Sequence, residues 1–220
     1  MKLLIFDTET TGLPEKNPIT PQLDKWPHLV SISWVILQDN VIIKQRDYII
    51  KPENWVIPDD SIKIHNITNE IAQTRGHSLF QVMTEFMAEQ CDMMISHNIN
   101  FDYNVVMNAI KTDLEFNFKG FNVPLKCTMI LSKNICKLPG RFSSYKPPKL
   151  KELYEFIFKR KPNENKLHGS LYDTIILTEC IQHCNWLQAA LGLPVSNTIL
   201  DNGIHKDRTI TFNFNETKGE

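Results

Sequence analysis

Long apolar runs are missing from this 220-residue chain. No stretch approaches the roughly 20 consecutive apolar residues that a membrane-crossing helix needs. At the N-terminus only Lys2 precedes the short run Leu3-Leu4-Ile5-Phe6, which meets Asp7 too soon for a secretory signal. A reducing, cytoplasmic compartment is therefore expected. Cysteine is scarce, 5 residues without paired spacing, which argues against a disulfide framework. Cys180, His183 and Cys184 lie close in sequence, but no second half completes a four-ligand zinc set, and buried free thiols are the better expectation. An excess of one charge is lacking as well. With 24 basic and 25 acidic residues the chain does not coat nucleic acid by bulk electrostatics. No internal repeat is visible and no second domain is expected, since the length suits one sizeable α/β domain.

What is present is organised around the first strand. Leu3 to Phe6 runs straight into Asp7-Thr8-Glu9, then Thr10-Thr11-Gly12-Leu13. On an extended strand, residues two apart point the same way, roughly 6–7 Å from each other. Asp7 and Glu9 then project together at the lip of a sheet. Such a hard-oxygen pair suits Mg²⁺ or Mn²⁺, because like charges side by side repel unless a cation sits between them. The same two residues also fit a strand that simply runs out into a polar turn.

Prolines 14, 18, 21 and 27 punctuate the next loop. Leu29–Leu37 and Val41–Ile50 read as a hairpin joined by a short polar turn. Thr68 or Asn69 is a helix cap, Gly76 interrupts the pattern, and Ser78–Gln90 has helical apolar spacing. Met93–Ser96 reads as a central strand with the polar exit His97-Asn98-Ile99-Asn100, followed by a helix from Phe101. Residues 125–133 suggest a strand and short helix, Leu150–Ile157 another helix, and Leu171–Leu191 a long final one. The segment Lys133–Lys166 is basic, opposed only by Glu152, Glu155 and Glu164, which suits a phosphate-contacting side or a solvated surface. Residues 1–194 are expected to form the compact domain. Residues 195–220 form a polar tail in which Ile210, Phe212 and Phe214 alternate as a short strand or docking segment would. Early strands followed by helices interleaved with short strands indicate a mixed sheet with helices on it.

The acids fall into motifs. Asp-x-Glu-Thr-Thr-Gly occupies Asp7–Gly12, His-Asn-x-x-Phe-Asp occupies His97–Asp102, and His168 precedes Asp173 by five residues. In these motifs, their order and their separations the chain resembles the DnaQ-like (DEDDh) 3′→5′ exonucleases of the ribonuclease-H-like superfamily, over roughly residues 1–190. Ile64-His65-Asn66-Ile67-Thr68 is similar to a further family signature. The resemblance implies an α/β ribonuclease-H-like fold, a central mixed β-sheet flanked by α-helices.

It also implies roles. Two divalent cations, Mg²⁺ or Mn²⁺, would clamp the attacking and leaving oxygens of a phosphodiester. Asp7 would bridge both, Glu9 and Asp173 would hold the one nearer the nucleophile, and Asp102 would help hold the other, largely through water. His168 would be the general base, since a histidine's ordinary pKa lies near neutrality; it is expected on a mobile segment ending at Gly169. Thr8, Thr10 and Leu13 would contact the 3′ nucleotide, with His65, Asn98 and Phe101 as further substrate contacts. Phe101 also suits the core, and His65 a loop before a capped helix. The sister branch has a tyrosine four residues before its last aspartate. Here that position is Gly169, and Tyr172 adjoins Asp173 instead. Two departures stand out: Ser31-Ile32-Ser33 lacks the family's common acid in the second strand, and Gly169-Ser170 replaces a pairing with alanine.

The implied activity is removal of nucleotides one at a time from single-stranded or frayed 3′ ends, DNA favoured over RNA. The role would be proofreading or end-trimming, beside a polymerase or another replication or repair protein. An exoribonuclease of the same branch, or a silent module that only holds ends, are the alternatives.

Overall fold

The computed structural model describes residues 1–14, 25–141 and 144–195. Five strands form one mixed sheet in the order β3-β2-β1-β4-β5. β1 (Lys2–Thr10), β2 (Leu29–Gln38) and β3 (Val41–Ile49) are antiparallel neighbours, whereas β4 (Met93–Ser96) and β5 (Leu125–Cys127) run parallel to β1. The expected hairpin is present. Asp39 and Asn40 at its tip take φ of 49° and 65°, the left-handed pair that matches the twist of two joined strands.

Helices cover both faces. α3 (Leu79–Ala88) and α4 (Ile99–Asn108) pack on one side, where Leu4, Phe6, Ile32, Trp34 and Met94 meet Val82, Phe86, Val105 and Val106. α5 (Thr128–Cys136), α6 (Leu150–Phe158), α7 (Ser170–His183) and α8 (Asn185–Leu191) pack on the other, where Leu3, Ile5 and Ile95 meet Leu153, Ile176, Leu177, Ile181 and Leu187. The central strand is buried on both faces, as its continuous apolar run requires. Alternate residues of β1 thus belong to different cores.

α1 (Asp59–His65) and α2 (Asn69–Arg75) form a third, small apolar cluster with the sheet, where Ile62 and Ala72 pack with Val30 of β2 and Ile49 of β3. Thr68 caps α2, its hydroxyl accepting from Ile71 N–H at 3.1 Å. Gly76 ends α2 because a Cβ there would lie 2.2 Å from the Ala72 carbonyl oxygen and 2.7 Å from Lys51 Cα. Backbone proximity, not an unusual φ, demands glycine.

Three expectations need correction. The final helix is not continuous: Cys184 adopts an extended conformation and splits it into α7 and α8. α8 folds back so that Gln188 Nε2 donates to the Ile181 and Gln182 carbonyls at 2.9 and 3.1 Å, supplying donors to the last turn of α7. His65 closes a helix and does not lie in a loop. The sequence pattern also passed over α1, whose polar Asp-Asp start follows a proline. The alternating residues Ile210, Phe212 and Phe214 lie outside the described residues, as does nearly all of the 195–220 tail. Among the described residues no helix is long and apolar enough to cross a membrane.

Phe86 is the hinge pin of the first core, fully buried, with edge contacts to the rings of Phe6, Trp34 and Phe121 at 5.2–5.7 Å. Phe86→Ala is expected to lower the unfolding free energy by about 3–5 kcal/mol, read from urea denaturation. A loss below about 1 kcal/mol would mean that the core refills the space.

Candidate active site

β1 delivers Asp7 and Glu9 to the face covered by α7, and α7 delivers Asp173 from its first turn. One carboxylate oxygen from each of the three lies within 4.8 Å of the others. This is the only such set among the described residues. Burial is the largest cause pushing these acids up. Asp7 rises well above its ordinary value, with Asp102, Asp173 and Glu9 adding repulsion. Glu9 is pushed up to about 9 by burial and by Asp173 and Asp102. Asp173 is pushed up to about 7 by burial, with Asp102 adding and the His168 N–H opposing.

Asp102 stands apart from this set. It starts from α4, on the other face of the sheet, and its oxygens are occupied by protein donors. Oδ1 accepts from Thr8 N–H at 3.1 Å and from the Thr8 hydroxyl at 2.7 Å, and Oδ2 accepts from the Ser96 hydroxyl. Burial raises its pKa to about 6, and these hydrogen bonds restrain the rise. Thr8 is consequently buried, with its hydroxyl and N–H engaged by Asp102. Ser96, which sequence reasoning passed over, is the last strand residue before the His97 motif, and that position was its only signal.

The other sequence-predicted residues are dispersed around this centre. Thr10 is buried, its hydroxyl donating to the Gly12 carbonyl at 2.6 Å and shaping the turn after β1. Leu13, just beyond, is 84% exposed and offers a bare apolar surface. His65 is buried; its Nδ1 accepts from Ile67 N–H at 3.1 Å, and its Nε2 has no partner within hydrogen-bond geometry. Burial lowers its pKa, opposed by the nearby Thr10 backbone. Asn98 is exposed at the start of α4. Phe101 is half-buried against Trp26, ring centroids 5.9 Å apart. His97 is a clamp. Its Nε2–H donates to the Pro148 carbonyl at 2.9 Å, which leaves Nδ1 to accept from Thr128 Oγ1 at 3.0 Å. Burial holds this ring neutral, with its pKa lowered to about 4. The basic loop is thereby tied to the strand exit beside Ser96.

His168 precedes α7 with an exposed side chain and a left-handed backbone, φ 63°. Its N–H donates to Asp173 Oδ2 at 3.3 Å. Gly169, at φ −119°, needs no glycine, so the unusual conformation belongs to the histidine itself. Tyr172 is engaged away from the acids, its hydroxyl accepting from Asn163 N–H at 2.8 Å and fastening the loop before His168.

With this geometry in place, comparison with known families is informative. The model of the RNase_T family, described as Exonuclease, matches residues 4–180. The chain belongs to this exonuclease family. It is thus a nuclease of the DnaQ-like, ribonuclease-H-like superfamily, a hydrolase acting on nucleic-acid ends. No curated protein matches the sequence. Among solved structures, an exonuclease X in complex with 5′-overhanging duplex DNA is 20% identical, with a TM-score of 0.59 over 88% of this chain and 95% of that one. Escherichia coli exonuclease I with a dA16 oligonucleotide is 12% identical, TM-score 0.64, over 86% of this chain and 42% of that one. A moderately thermophilic exonuclease I from Methylocaldum szegediense is 14% identical, TM-score 0.62, over 87% and 43%. The chain spans under half the length of the exonuclease I chains. At these identities the likeness is one of fold, and it gives no support to a polymerase partner.

The residues fit a divalent cation, which the family generally uses. Asp173 Oδ1 is buried without a hydrogen-bond partner, and Asp7 and Glu9 are crowded against it with no cationic side chain in the set. Hard oxygen donors with spare lone pairs and unrelieved negative charge suit Mg²⁺ or Mn²⁺.

A pH signature follows. Each of these acids keeps its proton in the fold after the unfolded chain, near 3.8 for Asp and 4.5 for Glu, has released it. At these acids the fold then binds more protons, and their contribution to stability falls as pH rises from about 4 to about 9, whereas buried His97, lowered to about 4 from 6.5, contributes in the opposite sense below about 6.5. The cation-free protein is expected to lose Tm from about pH 6.5 to about 9, above the range in which His97 opposes the acids, and added Mn²⁺ should raise Tm more at pH 8 than at pH 6. Glu9→Gln should flatten the slope. A Tm that climbs from about pH 7 to about 9 in chelator would contradict the assignment.

Proposed function

We propose that the protein is a metal-dependent 3′→5′ exonuclease that removes nucleotides one at a time from DNA ends, of end-trimming or proofreading type. The observation that carries this reading is the convergence of Asp7, Glu9 and Asp173 within 4.8 Å in a member of an exonuclease family. The exonuclease domain extends over residues 1–194, since α8 is packed into the same core as α7.

In this reading Asp7, Glu9 and Asp173 would hold two divalent cations, and Asp102 would add negative charge behind them while keeping the end of β1 in place through Thr8. Bound there, the cations supply Lewis-acid stabilisation of the attacking and leaving oxygens. His168 takes the proton of the attacking water. Its ring is exposed, and its backbone N–H is tied to Asp173, which holds its Cα beside that carboxylate. Leu13 offers the terminal base an apolar surface, a contact that tolerates any sequence. The turn from Thr10 to Gly12, stiffened by the Thr10 hydroxyl, sets where that surface stands relative to Glu9. DNA is favoured because structural neighbours of this chain were solved with DNA.

The test uses matched 5′-labelled DNA and RNA oligonucleotides with Mg²⁺ or Mn²⁺. A ladder of one-nucleotide steps from the 3′ end should form on DNA, disappear with chelator and be absent in Asp7→Ala. His168→Ala should slow hydrolysis about 10²–10⁴-fold while leaving Mn²⁺ binding intact. Uncut DNA and RNA would end the enzymatic reading, a ladder on RNA alone would move the substrate to RNA, and an unchanged rate in His168→Ala would remove that residue from its role.

A further inference from the structure

The two places where the sequence departs from the family pattern meet in space. Ser31 and Ser33 project from β2 toward α7, and Ser170 is the first residue of α7. Ser170 Oγ lies 2.7 Å from Ser33 Oγ and 3.1 Å from Ser31 Oγ, and Ser33 Oγ donates to Asp47 Oδ1 on β3 at 2.7 Å. All three serines are buried, at 0–4% exposure.

Hydroxyl counting gives this cluster a direction. Each serine has one hydrogen. Ser33 gives its hydrogen to the Asp47 carboxylate, so at the 2.7 Å contact Ser170 must be the donor. Ser170 has then committed its own, and Ser31 must donate to it. The result is a one-way chain, Ser31 to Ser170 to Ser33 to Asp47, terminated by an acid and satisfied only when every member is present. A second tether lies one turn along, where the Thr174 hydroxyl donates to the Ser33 carbonyl at 3.2 Å.

The position of this chain matters more than its strength. In the β1–β2 register Ser33 is opposite Asp7 and Ser31 is opposite Glu9. Asp173 lies between Ser170 and Thr174 in the first turn of α7. The helix is therefore gripped at both sides of Asp173, by the β2 residues that flank the two acids of β1. Apolar contacts at these places would hold the helix without fixing its rotation, whereas a directed hydrogen-bond chain fixes both.

We propose that Ser31, Ser33 and Ser170, ended by Asp47, are positioning residues that set the rotation of α7 so that Asp173 meets Asp7 and Glu9 in a cation-binding arrangement. This rests on the metal-dependent reading above. The one charged member of the chain, Asp47, stands on β3, and serines on β2 and α7 connect it to the start of the helix.

The experiment titrates Mn²⁺ into wild-type protein, Ser33→Ala, Ser170→Ala and the double variant by calorimetry, well below Tm, with circular dichroism as a check of folding. Each single change should weaken Mn²⁺ binding about 3–10-fold, the range of one net hydrogen bond. The double variant should be about as weak as the weaker single one, because both break the same chain. Asp47→Ala, at the exposed end, should weaken binding about 3-fold and covers the case in which a buried variant does not fold. A lowered Tm with Mn²⁺ affinity within about twofold of wild type in every folded variant would overturn the proposal, as would losses that add independently. Wild-type protein that binds Mn²⁺ but leaves DNA and RNA uncut would overturn the exonuclease reading alone; wild-type protein that binds none would overturn both.

Discussion

Carboxylates crowded together away from water raise the free energy of any fold that holds them, and the sheet around β1 carries that burden. Asp7, Glu9 and Asp173 have no cationic side chain among them, and their protons are retained far above the ordinary acid range. They stay where they are because the strand and helix that bear them are fixed by something else. Apolar packing on both faces of β1 and along α7 provides it, with Ile5, Ile176 and Ile181 buried almost completely. Stability made in the cores is used at the C-terminal end of the central strand.

The four acids divide into two solutions of the same electrostatic problem. Asp102 is the most enclosed, yet its pKa rises only to about 6, because Thr8 and Ser96 supply donors to its oxygens. Glu9, with no such donors, rises to about 9. An acid satisfied by the protein is a fixed point of the scaffold. An acid left unsatisfied awaits a ligand. The hydrogen-bond pattern therefore distinguishes Asp102, with donors on both oxygens, from Asp173, whose Oδ1 has none, more sharply than their motif spacing does.

The sequence made the strand acids readable because β1 needs only period two to place Asp7 and Glu9 together. The hairpin was equally readable, since Asp39-Asn40 is local turn chemistry. Features that depend on partners distant in the chain were not. The break at Cys184 is hidden inside continuous apolar spacing and becomes visible only when Gln188 is seen folded onto the end of α7. Asp102 shares a motif class with Asp7, but which face of the sheet it comes from depends on the path of α4. Ser31, Ser33 and Ser170 looked like missing features of a pattern. Their meaning required the β1–β2 register and the docking of α7, neither of which composition or periodicity encodes.

The alternation of β1 has a consequence for how this chain can change. Odd positions carry Leu3, Ile5, Asp7 and Glu9, and even positions carry Leu4, Phe6, Thr8 and Thr10, each set committed to its own layer. Adding or deleting one residue within the strand would invert the assignment from that point on, sending the acids toward α4 and the threonines toward α7. Parity, more than the identity of any one side chain, is what the strand must preserve. Length variation is thus barred from Lys2–Thr10 but has a natural outlet at the Asp39-Asn40 tip, where no layer is counting.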